Sequence, residues 1–473
     1  MNAIELKDVS FIYEGYEAPI LCGANFSVEY GEVALLSGFS GEGKSTVLSL
    51  IAGIIPNVTP GEVSGEVLIG GESINGKRLG DVCRRVGVVL QNAESQIIQQ
   101  TVEDEIAFGC ENFAFSKEKI AERIRLSCGK MKLQPQWKTR TLSGGQKQRL
   151  MTAATLATEQ KILVLDEPLA NLDKDGAELL MSSLRALAES GYAVLVAEHR
   201  LDMVLPYVDS VWCIRDKKLS RVENKREYLD SQARLIQDKC RKRAENSAAF
   251  EIRGLGFSAG GREILKDVSF DVQKGERLLL LGENGCGKTT LMRLTARLCK
   301  PTKGTIAQYI DEKLGQKPNG SKAWFKKVGV VYQNPNYQLF MSTVRDEIAY
   351  NAASPEYADE ITERFRLSHL AERHPQSLSE GQKRRVSIAA VAAAKPEVLL
   401  LDEPTVGQDY TGLAEMVEIL NDIHERTGNT MITVTHDMRC AEALCDRAVV
   451  IENGVVSAEG GKELAHRYFY GNE

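Results

Sequence analysis

Apolar residues in this chain gather in short blocks set off by glycines, polar residues and charges. Val33-Ala34-Leu35-Leu36-Ser37 is one such block and reads as a strand buried on both faces, because full burial gives a continuous apolar run. Val86 to Gln91, Ile162 to Leu165 and Ala193 to Ala197 read the same way. Ile4 to Tyr13 alternates, as a half-buried strand does. Between these blocks the spacing turns helical. Val47 to Ala52 starts a helix, and Thr101 precedes acidic and then apolar residues up to Phe108, which is a helix-start pattern. Ser143 is placed to cap a long helical pattern over Lys147 to Thr158. Strands alternating with helices predict an α/β protein.

The whole pattern then recurs in the same order. Arg277 to Leu281, Val328 to Gln333, Val398 to Leu401 and the stretch Thr433-Val434-Thr435 before His436 repeat the strands, and Thr343 to Tyr350 repeats the capped helix. A chain of 473 residues exceeds what one hydrophobic core usually serves. The reading is therefore two duplicated domains, 1–222 and 248–473, joined by a linker, 223–247. In the linker Tyr228, Leu229, Ala233, Leu235, Ile236 and Cys240 fall at helical spacing. They predict an amphipathic helix with a solvated basic face that includes Lys239, Arg241, Lys242 and Arg243.

The turns between strand and helix carry the chemistry. Gly38-Phe39-Ser40-Gly41-Glu42-Gly43-Lys44-Ser45-Thr46 fits the P-loop pattern, with an apolar strand before it and a helix after it. Gly38, Gly41 and Gly43 let the backbone wrap a phosphate, and the bare N–H groups of the helix start point at the anion. Lys44 would reach the β- and γ-phosphates of ATP, and Ser45 would help hold Mg²⁺. A lone match leaves a plain glycine turn open. Gly282-Glu283-Asn284-Gly285-Cys286-Gly287-Lys288-Thr289-Thr290 repeats the match, which removes that alternative. Asp166-Glu167 and Asp402-Glu403 end buried strands, where open α/β sheets bind ligands. The aspartates would contact Mg²⁺ through water, and the glutamates would orient or deprotonate the attacking water. Gln91 and Gln333 end their strands and could reach a metal or water near the γ-phosphate; a solvated strand end is the alternative. His199 and His436 could hydrogen-bond the γ-phosphate or serve structure alone. Ser143-Gly144-Gly145-Gln146 opens a helix with bare amides for an anion, and Ser379-Glu380-Gly381-Gln382 repeats it with one change. Tyr13 could stack on adenine or remain an edge residue.

Composition narrows the class without naming it. With 43% hydrophobic and 26% charged residues the chain is ordinary and globular, and a net charge of −6 gives no nucleic-acid signature. It enters Ile4 to Val9 with no leader-like segment, and no apolar run approaches the 18 or so residues of a membrane span. Ten scattered cysteines without a C-x-x-C pair suggest reduced thiols in the cytosol.

These paired motifs, in this order, resemble the ATP-binding-cassette (ABC) ATPases over nearly the whole chain. The resemblance implies two tandem cassettes, each a mixed or parallel sheet core with a helical signature subdomain. It also implies head-to-tail pairing around two ATP molecules, each with Mg²⁺. Site one would join Lys44, Gln91, Glu167 and His199 to Ser379, Gly381 and Gln382. Site two would join Lys288, Gln333, Glu403 and His436 to Ser143, Gly145 and Gln146. Two departures stand out: the counterpart of Tyr13 is near Ala259, which weakens adenine stacking in site two unless Phe257 substitutes, and Glu380 replaces a signature glycine. Both glutamates and histidines remain, so two hydrolytic sites are expected.

The segments Gln91 to Gly109 and Gln333 to Tyr350 resemble the energising ATPases of energy-coupling-factor (ECF) importers. The second keeps Pro335 and Gln338; the first has Ala93 but keeps Gln96. That resemblance implies a peripheral protein on the cytoplasmic face of the cell membrane. Its partners would be an integral membrane coupling protein and a small membrane protein that binds a vitamin or metal ion. Ile97-Ile98 and Leu339-Phe340 would line a groove for docked helices, with burial in the core as the alternative. A soluble tandem-cassette translation factor acting on the ribosome is the second reading, weakened by the short linker and acidic charge. A tandem sugar-importer ATPase is the third.

Overall fold

The computed structural model describes residues 1–39, 41–91, 93–170, 172, 174–236, 240, 244–310, 321–406 and 408–471. Ser40, Lys239, Arg241, Lys242 and Arg243, singled out above, lie outside the described residues. The chain divides into two units, Met1–Gln232 and Ala233–Glu473.

In the first unit the apolar blocks form a six-stranded sheet in the order Lys218–Arg221, Ser210–Arg215, Val33–Gly38, Ala193–Ala197, Ile162–Asp166, Val86–Val89. The last five strands are parallel, and only the hairpin at 210–221 is antiparallel. The P-loop strand is interior, so its end and that of Ile162–Asp166 open on the same edge of the sheet. The alternating strand Asn2–Tyr13 lies between Leu21–Glu29 and Gly61–Ile69 in a separate antiparallel sheet. Ile4, Leu6 and Phe11 from that sheet pack with Leu36, Val47, Leu50, Val164 and Leu195 in one core. Three helices form the signature part: Val102–Asn112, Lys117–Met131 and Gly144–Ala157. Each opens on a hydroxyl cap, Thr101, Ser116 and Ser143, that accepts from the third residue into its helix.

The second unit repeats the layout as one nine-stranded sheet. The order is Lys303–Gln308, Ala248–Ala259, Arg262–Gln273, Val455–Gly461, Arg447–Glu452, Arg277–Leu281, Thr430–Val434, Val398–Asp402, Val328–Val331. A single bridge, Asp267 to Val455, fuses its two sheets. Both units close that seam with one backbone hydrogen bond of 2.8 Å, Cys22 N to Lys217 O and Lys266 N to Gly454 O. The difference in sheet count is thus one bridge, not a different fold.

The charged linker is less regular than its spacing predicts. Its helix spans Lys225–Ala233 and stops before Leu235, which is exposed, and Ile236, which packs on the core of the second unit. Tyr228 ties that helix to the first unit, its hydroxyl sharing hydrogen bonds with Ser37 Oγ (2.9 Å) and Cys213 Sγ (3.5 Å). All ten cysteines are unbridged. Among the described residues no helix is long and apolar enough to cross a membrane.

Candidate functional site

The two P-loops fold alike because glycine stands where the backbone must turn left-handed. Gly38 has φ 152° and Gly43 φ 104°; Gly282 and Gly287 have 141° and 111°. A Cβ at Gly282 would sit 2.2 Å from the Ile451 carbonyl, so no side chain fits there. The helices Lys44–Ile51 and Lys288–Thr295 begin directly after these turns. Both lysines are buried and fold back on their own loops. Lys44 Nζ donates to the carbonyls of Gly38 (2.8 Å) and Phe39 (3.0 Å), and Lys288 Nζ to those of Gly282 (2.7 Å) and Glu283 (2.8 Å). A phosphate entering the loop would replace carbonyl partners with a stronger, charge-assisted one.

The hydroxyl after each lysine meets the aspartate at the end of its carboxylate strand. Ser45 Oγ donates to Asp166 Oδ2 (2.9 Å), and Thr289 Oγ1 to Asp402 Oδ2 (3.0 Å). Burial, then the neighbouring Glu167, pushes the Asp166 carboxyl up to about 6; burial raises Asp402 as well. A hydroxyl and a carboxylate oxygen side by side suit a hard cation brought by a nucleotide, so the donor set fits Mg²⁺. Among the described residues no cluster of three or more His, Cys, Asp or Glu could hold a metal by itself.

The next residues, Glu167 and Glu403, are held at φ 46° and 52°, uncommon for a side chain that gains nothing from the left-handed region. In each unit the backbone N–H donates to the neighbouring strand, to Ala197 O (2.8 Å) and Val434 O (2.9 Å). Their carboxylates then differ. Glu167 accepts from Gln91 Nε2 (2.7 Å) and lies 3.3 Å from His199 Nε2. Burial pushes its carboxyl up, but the His199 hydrogen bond and the charges of His199 and Lys44 outweigh it, leaving it below the ordinary value. Glu403 accepts from the backbone N–H of His436 (3.2 Å), while the His436 ring stops 3.7 Å away. Its Oε1 is buried without a hydrogen-bond partner, and burial followed by Asp402 raises the carboxyl to about 7.

The structure thus brings together Lys44, Ser45, Gln91, Asp166, Glu167 and His199 in the first unit. In the second it brings together Lys288, Thr289, Asp402, Glu403 and His436. Gln333 differs from Gln91. Its side chain is exposed and makes no bond to Glu403, while its carbonyl accepts from Arg384 Nη2 (2.7 Å). Arg384 Nη1 also holds the Glu403 carbonyl (2.7 Å); the first unit has Gln148 at that place. Tyr13 is tied by its hydroxyl to Thr46 Oγ1 (2.7 Å), with its ring edge-on to Phe11. Ala259 is exposed, and Phe257 packs half-buried against the second core. The signature residues Ser143, Gly144, Gly145 and Gln146 form a capping box, as do Ser379 and Gln382 around Gly381. Among the described residues neither box hydrogen-bonds to the P-loop of its own unit.

The segment after each glutamine is locked in ways the sequence reading did not foresee. Gln96 Oε1 accepts from Leu90 N (2.8 Å) and Gln338 Oε1 from Tyr332 N (2.9 Å), closing the turn. Buried Glu105 accepts from Ile98 N (2.9 Å) and Gln99 N (2.7 Å), and buried Glu347 from Phe340 N (2.9 Å) and Met341 N (2.8 Å). The result presents Ile98, 67% exposed, and Phe340, 68% exposed. Leu339, expected to line the same groove, is only 5% exposed and belongs to the core. Ile97, in the first unit, is half-buried. Glu105 and Glu347 carried a signal, as acidic residues inside an apolar helix start. Glu198, described below, carried none beyond preceding His199.

A family profile for the ABC transporter matches residues 21–170 and 265–406. A Bacillus subtilis protein with the provisional name HMP/thiamine import ATP-binding protein YkoD is 32% identical over 97% of this chain and 91% of its own length. A Streptococcus mutans protein, provisionally named an ABC transporter ATP-binding protein, is 33% identical over 96% of this chain and 90% of its own. Among solved structures, one called RNase-L Inhibitor aligns with 98% of this chain and 92% of its own, at TM-score 0.70 and 22% identity. A structure of ribosome-bound archaeal Pelota and ABCE1 aligns with 97% and 80%, at TM-score 0.75 and 22% identity. At that identity these structures speak for the shared fold of two tandem cassettes and for nothing finer.

Proposed function

This chain belongs to the ABC transporter family as an ATPase of two fused cassettes, and on that premise we propose that it energises an ECF-type importer of a vitamin or metal ion. The observation that carries the importer reading is the pair of apolar side chains, Ile98 and Phe340, held out on turns pinned by Gln96 with Glu105 and by Gln338 with Glu347. Phe340 is joined by the exposed Tyr350 in an edge-on ring contact, and apolar side chains held out on pinned turns offer a docking contact that helices of a membrane coupling protein would fit. A separate small membrane protein would carry the substrate. The import name of the 32% identical relative points the same way. The chain would sit as a peripheral protein on the cytoplasmic face of the cell membrane.

Each cassette would bind ATP on its P-loop. Lys44 and Lys288 exchange their loop carbonyls for the β- and γ-phosphates, and the loop amides take the remaining oxygens. Mg²⁺ arriving with the nucleotide would be held at Ser45 with Asp166 and at Thr289 with Asp402, where it would offset phosphate charge. Gln91 and Gln333 are the further candidates for that shell. Glu167 and Glu403 would accept the proton of the attacking water, with His199 and His436 beside them to meet the γ-phosphate. Family resemblance assigns Ser379, Gly381 and Gln382 to the nucleotide on Lys44. It assigns Ser143, Gly144, Gly145 and Gln146 to that on Lys288. A phosphate contacted by both cassettes favours one arrangement of the pair, and its loss favours the other, which is the differential affinity a motor needs.

Mild-detergent purification of the tagged chain from membranes tests the reading. Small, very hydrophobic proteins should co-purify and should be lost in Ile98→Asp with Phe340→Asp, while ATP hydrolysis persists. Ribosomal proteins in place of membrane proteins would replace the importer reading with action on the ribosome. The fold likeness to ribosome-bound proteins does not favour that outcome, since the fold serves both.

A further inference from the structure

Glu198 and Thr435 hold equivalent places, each following a central strand and preceding a histidine. Both are buried, Glu198 at 2% exposure and Thr435 at 1%. Glu198 has the length to cap the whole turn. Its Oε1 accepts from His199 N (2.7 Å) and Arg200 N (3.2 Å), and its Oε2 accepts from Leu169 N (3.0 Å), two residues after Glu167. Arg200 adds bonds from Nη1 to the carbonyls of Leu169 (3.2 Å) and Leu172 (2.9 Å). One carboxylate therefore fixes the histidine turn and the segment behind the glutamate together. A carboxylate has about four acceptor sites, enough for three donors.

Threonine cannot do the same. Thr435 Oγ1 accepts from Asp437 N (3.0 Å) and lies 3.4 Å from Thr405 Oγ1, at the place of Leu169. The His436 N–H that Glu198 would have satisfied is taken up by Glu403 Oε2 (3.2 Å). The second glutamate is thus turned onto backbone, and its other oxygen is buried without a hydrogen-bond partner, 3.7 Å from the His436 ring. In the first unit that duty falls on Glu198, and Glu167 is left to the Gln91 amide (2.7 Å) and the His199 ring (3.3 Å).

We infer that Glu198 is a positioning residue that frees Glu167 to act on water, and that threonine at its place makes the second site the slower of the two. The inference rests on reading Glu167 and Glu403 as the hydrolytic bases. Its reach is through geometry: the carboxylate facing the γ-phosphate must be held to a fraction of an ångström, and a displacement of 1 Å can cost about 100-fold in rate.

The test is steady-state ATP hydrolysis by the full chain in a Glu403→Gln background, where turnover reports the Glu167 site. Glu198→Thr should lower kcat about tenfold with KM for ATP within about twofold. Glu198→Gln keeps one accepting oxygen for His199 and Arg200 but loses the Leu169 bond, and should fall between, at about threefold. In the opposite background, Glu167→Gln, the Thr435→Glu variant should raise the rate. If Glu198→Thr does not give a cooperative thermal transition, Glu198→Gln decides alone. A kcat unchanged in the folded variants overturns the inference, and so does a KM that rises in step with the loss of kcat. If Glu167→Gln itself leaves the rate of the Glu403→Gln protein unchanged, the base assignment fails, and it fails before Glu198 is touched.

Discussion

The two units build the same platform with different side chains. In the first, Asp209 Oδ2 accepts from Val33 N (2.9 Å) at the start of the P-loop strand and from Arg185 Nη1 (2.6 Å), on helix Lys174–Glu189. In the second, Asp446 likewise accepts from the first backbone N–H of the P-loop strand, that of Arg277 (3.0 Å). The guanidinium, however, now comes from the strand: Arg277, 2% exposed, donates to Asp446 Oδ1 (2.6 Å), to Asn421 Oδ1 (3.0 Å) and to the Ala443 carbonyl (3.1 Å). Asn421 stands on helix Tyr410–Thr427 where Arg185 stands on its counterpart. The cation has changed element while the carboxylate and the backbone contact stayed. What the fold requires is a charge at one point in space, and either neighbouring element can supply it. The P-loop lysines, by contrast, make the same pair of backbone contacts in both units, and the glutamates just beyond them do not share theirs. Scaffold contacts tolerate exchange, the lysine contacts are kept, and the strand-end glutamates are where the two halves have parted.

The largest effects should be the same in both units. Lys44→Ala and Lys288→Ala each remove a charge-assisted contact to phosphate, and each should weaken nucleotide binding at its own site by about 100-fold. Equilibrium binding of a fluorescent ATP analogue to each variant measures this. Equal losses would support identical P-loops; a loss at one site only would break the comparison at its firmest point.

The exchanged guanidinium predicts unequal effects. Arg277→Leu removes the buried guanidinium, leaves Asn421 Oδ1 buried without its donor and leaves Asp446 only the backbone N–H at 277, at a cost of about 3 kcal/mol. Arg185→Leu removes a rim contact with a half-exposed partner, worth under about 1 kcal/mol. Hydrogen exchange in helix Tyr410–Thr427, set against exchange in helix Lys174–Glu189, reads the two costs in their own units. Similar protection losses would mean that the charge matters and its burial does not.

A third contrast is in pH. The Glu403 carboxyl holds its proton up to about 7 against an ordinary value of 4.5, so the folded state binds a proton that the unfolded chain has released. Stability of the nucleotide-free protein is therefore lost as pH rises from about 4.5 through about 7, by up to about 3 kcal/mol. Glu403→Gln lacks this loss and should melt above the parent at pH 8 but level with it near pH 4.5. Glu167, whose carboxyl is lowered, has the opposite sign: its contribution is present above the ordinary value and fades as pH falls through the lowered one. Glu167→Gln should consequently give no gain at pH 8. Thermal scans of both variants at the two pH values settle whether the carboxylates differ as their surroundings do.

Much of this was legible in the sequence because its causes are local. Glycines at fixed offsets, an apolar run before them and two acids at a strand end identify the P-loops and carboxylate strands without any knowledge of neighbours. Ser143 and Ser379 were legible for the same reason, since a capping box lies within four residues. Glu198 was not, because its meaning depends on three N–H groups, one of them 29 residues away. Leu339 and Phe340 are adjacent and similarly apolar, and only the turn fixed by Gln338 and Glu347 decides which is buried. The linker helix was visible as a spacing, but not where it ended or what it touched, because Tyr228 finds Ser37 across 191 residues.

That last contact gives the smallest expected effect and the finest test of the comparison. Helix Lys225–Ala233 after the first unit corresponds to helix Lys462–Tyr470 after the second, with Ala465 at the place of Tyr228 and Leu281 at the place of Ser37. Both of those residues are buried and apolar, so the second unit closes this contact by packing and the first by a hydrogen bond between two hydroxyls (2.9 Å). Tyr228→Phe keeps the ring and strands the buried Ser37 hydroxyl, at about 1 kcal/mol. Amide exchange across Lys225–Ala233 should accelerate about fivefold, while Lys462–Tyr470 stays as it was. Adding Ser37→Ala removes the stranded partner and should return most of the protection, because two apolar groups of the same shape cost little where two polar ones were paired. If the double variant exchanges as fast as Tyr228→Phe, the helix is held by something other than this bond, and the two units are more alike at their ends than their side chains suggest.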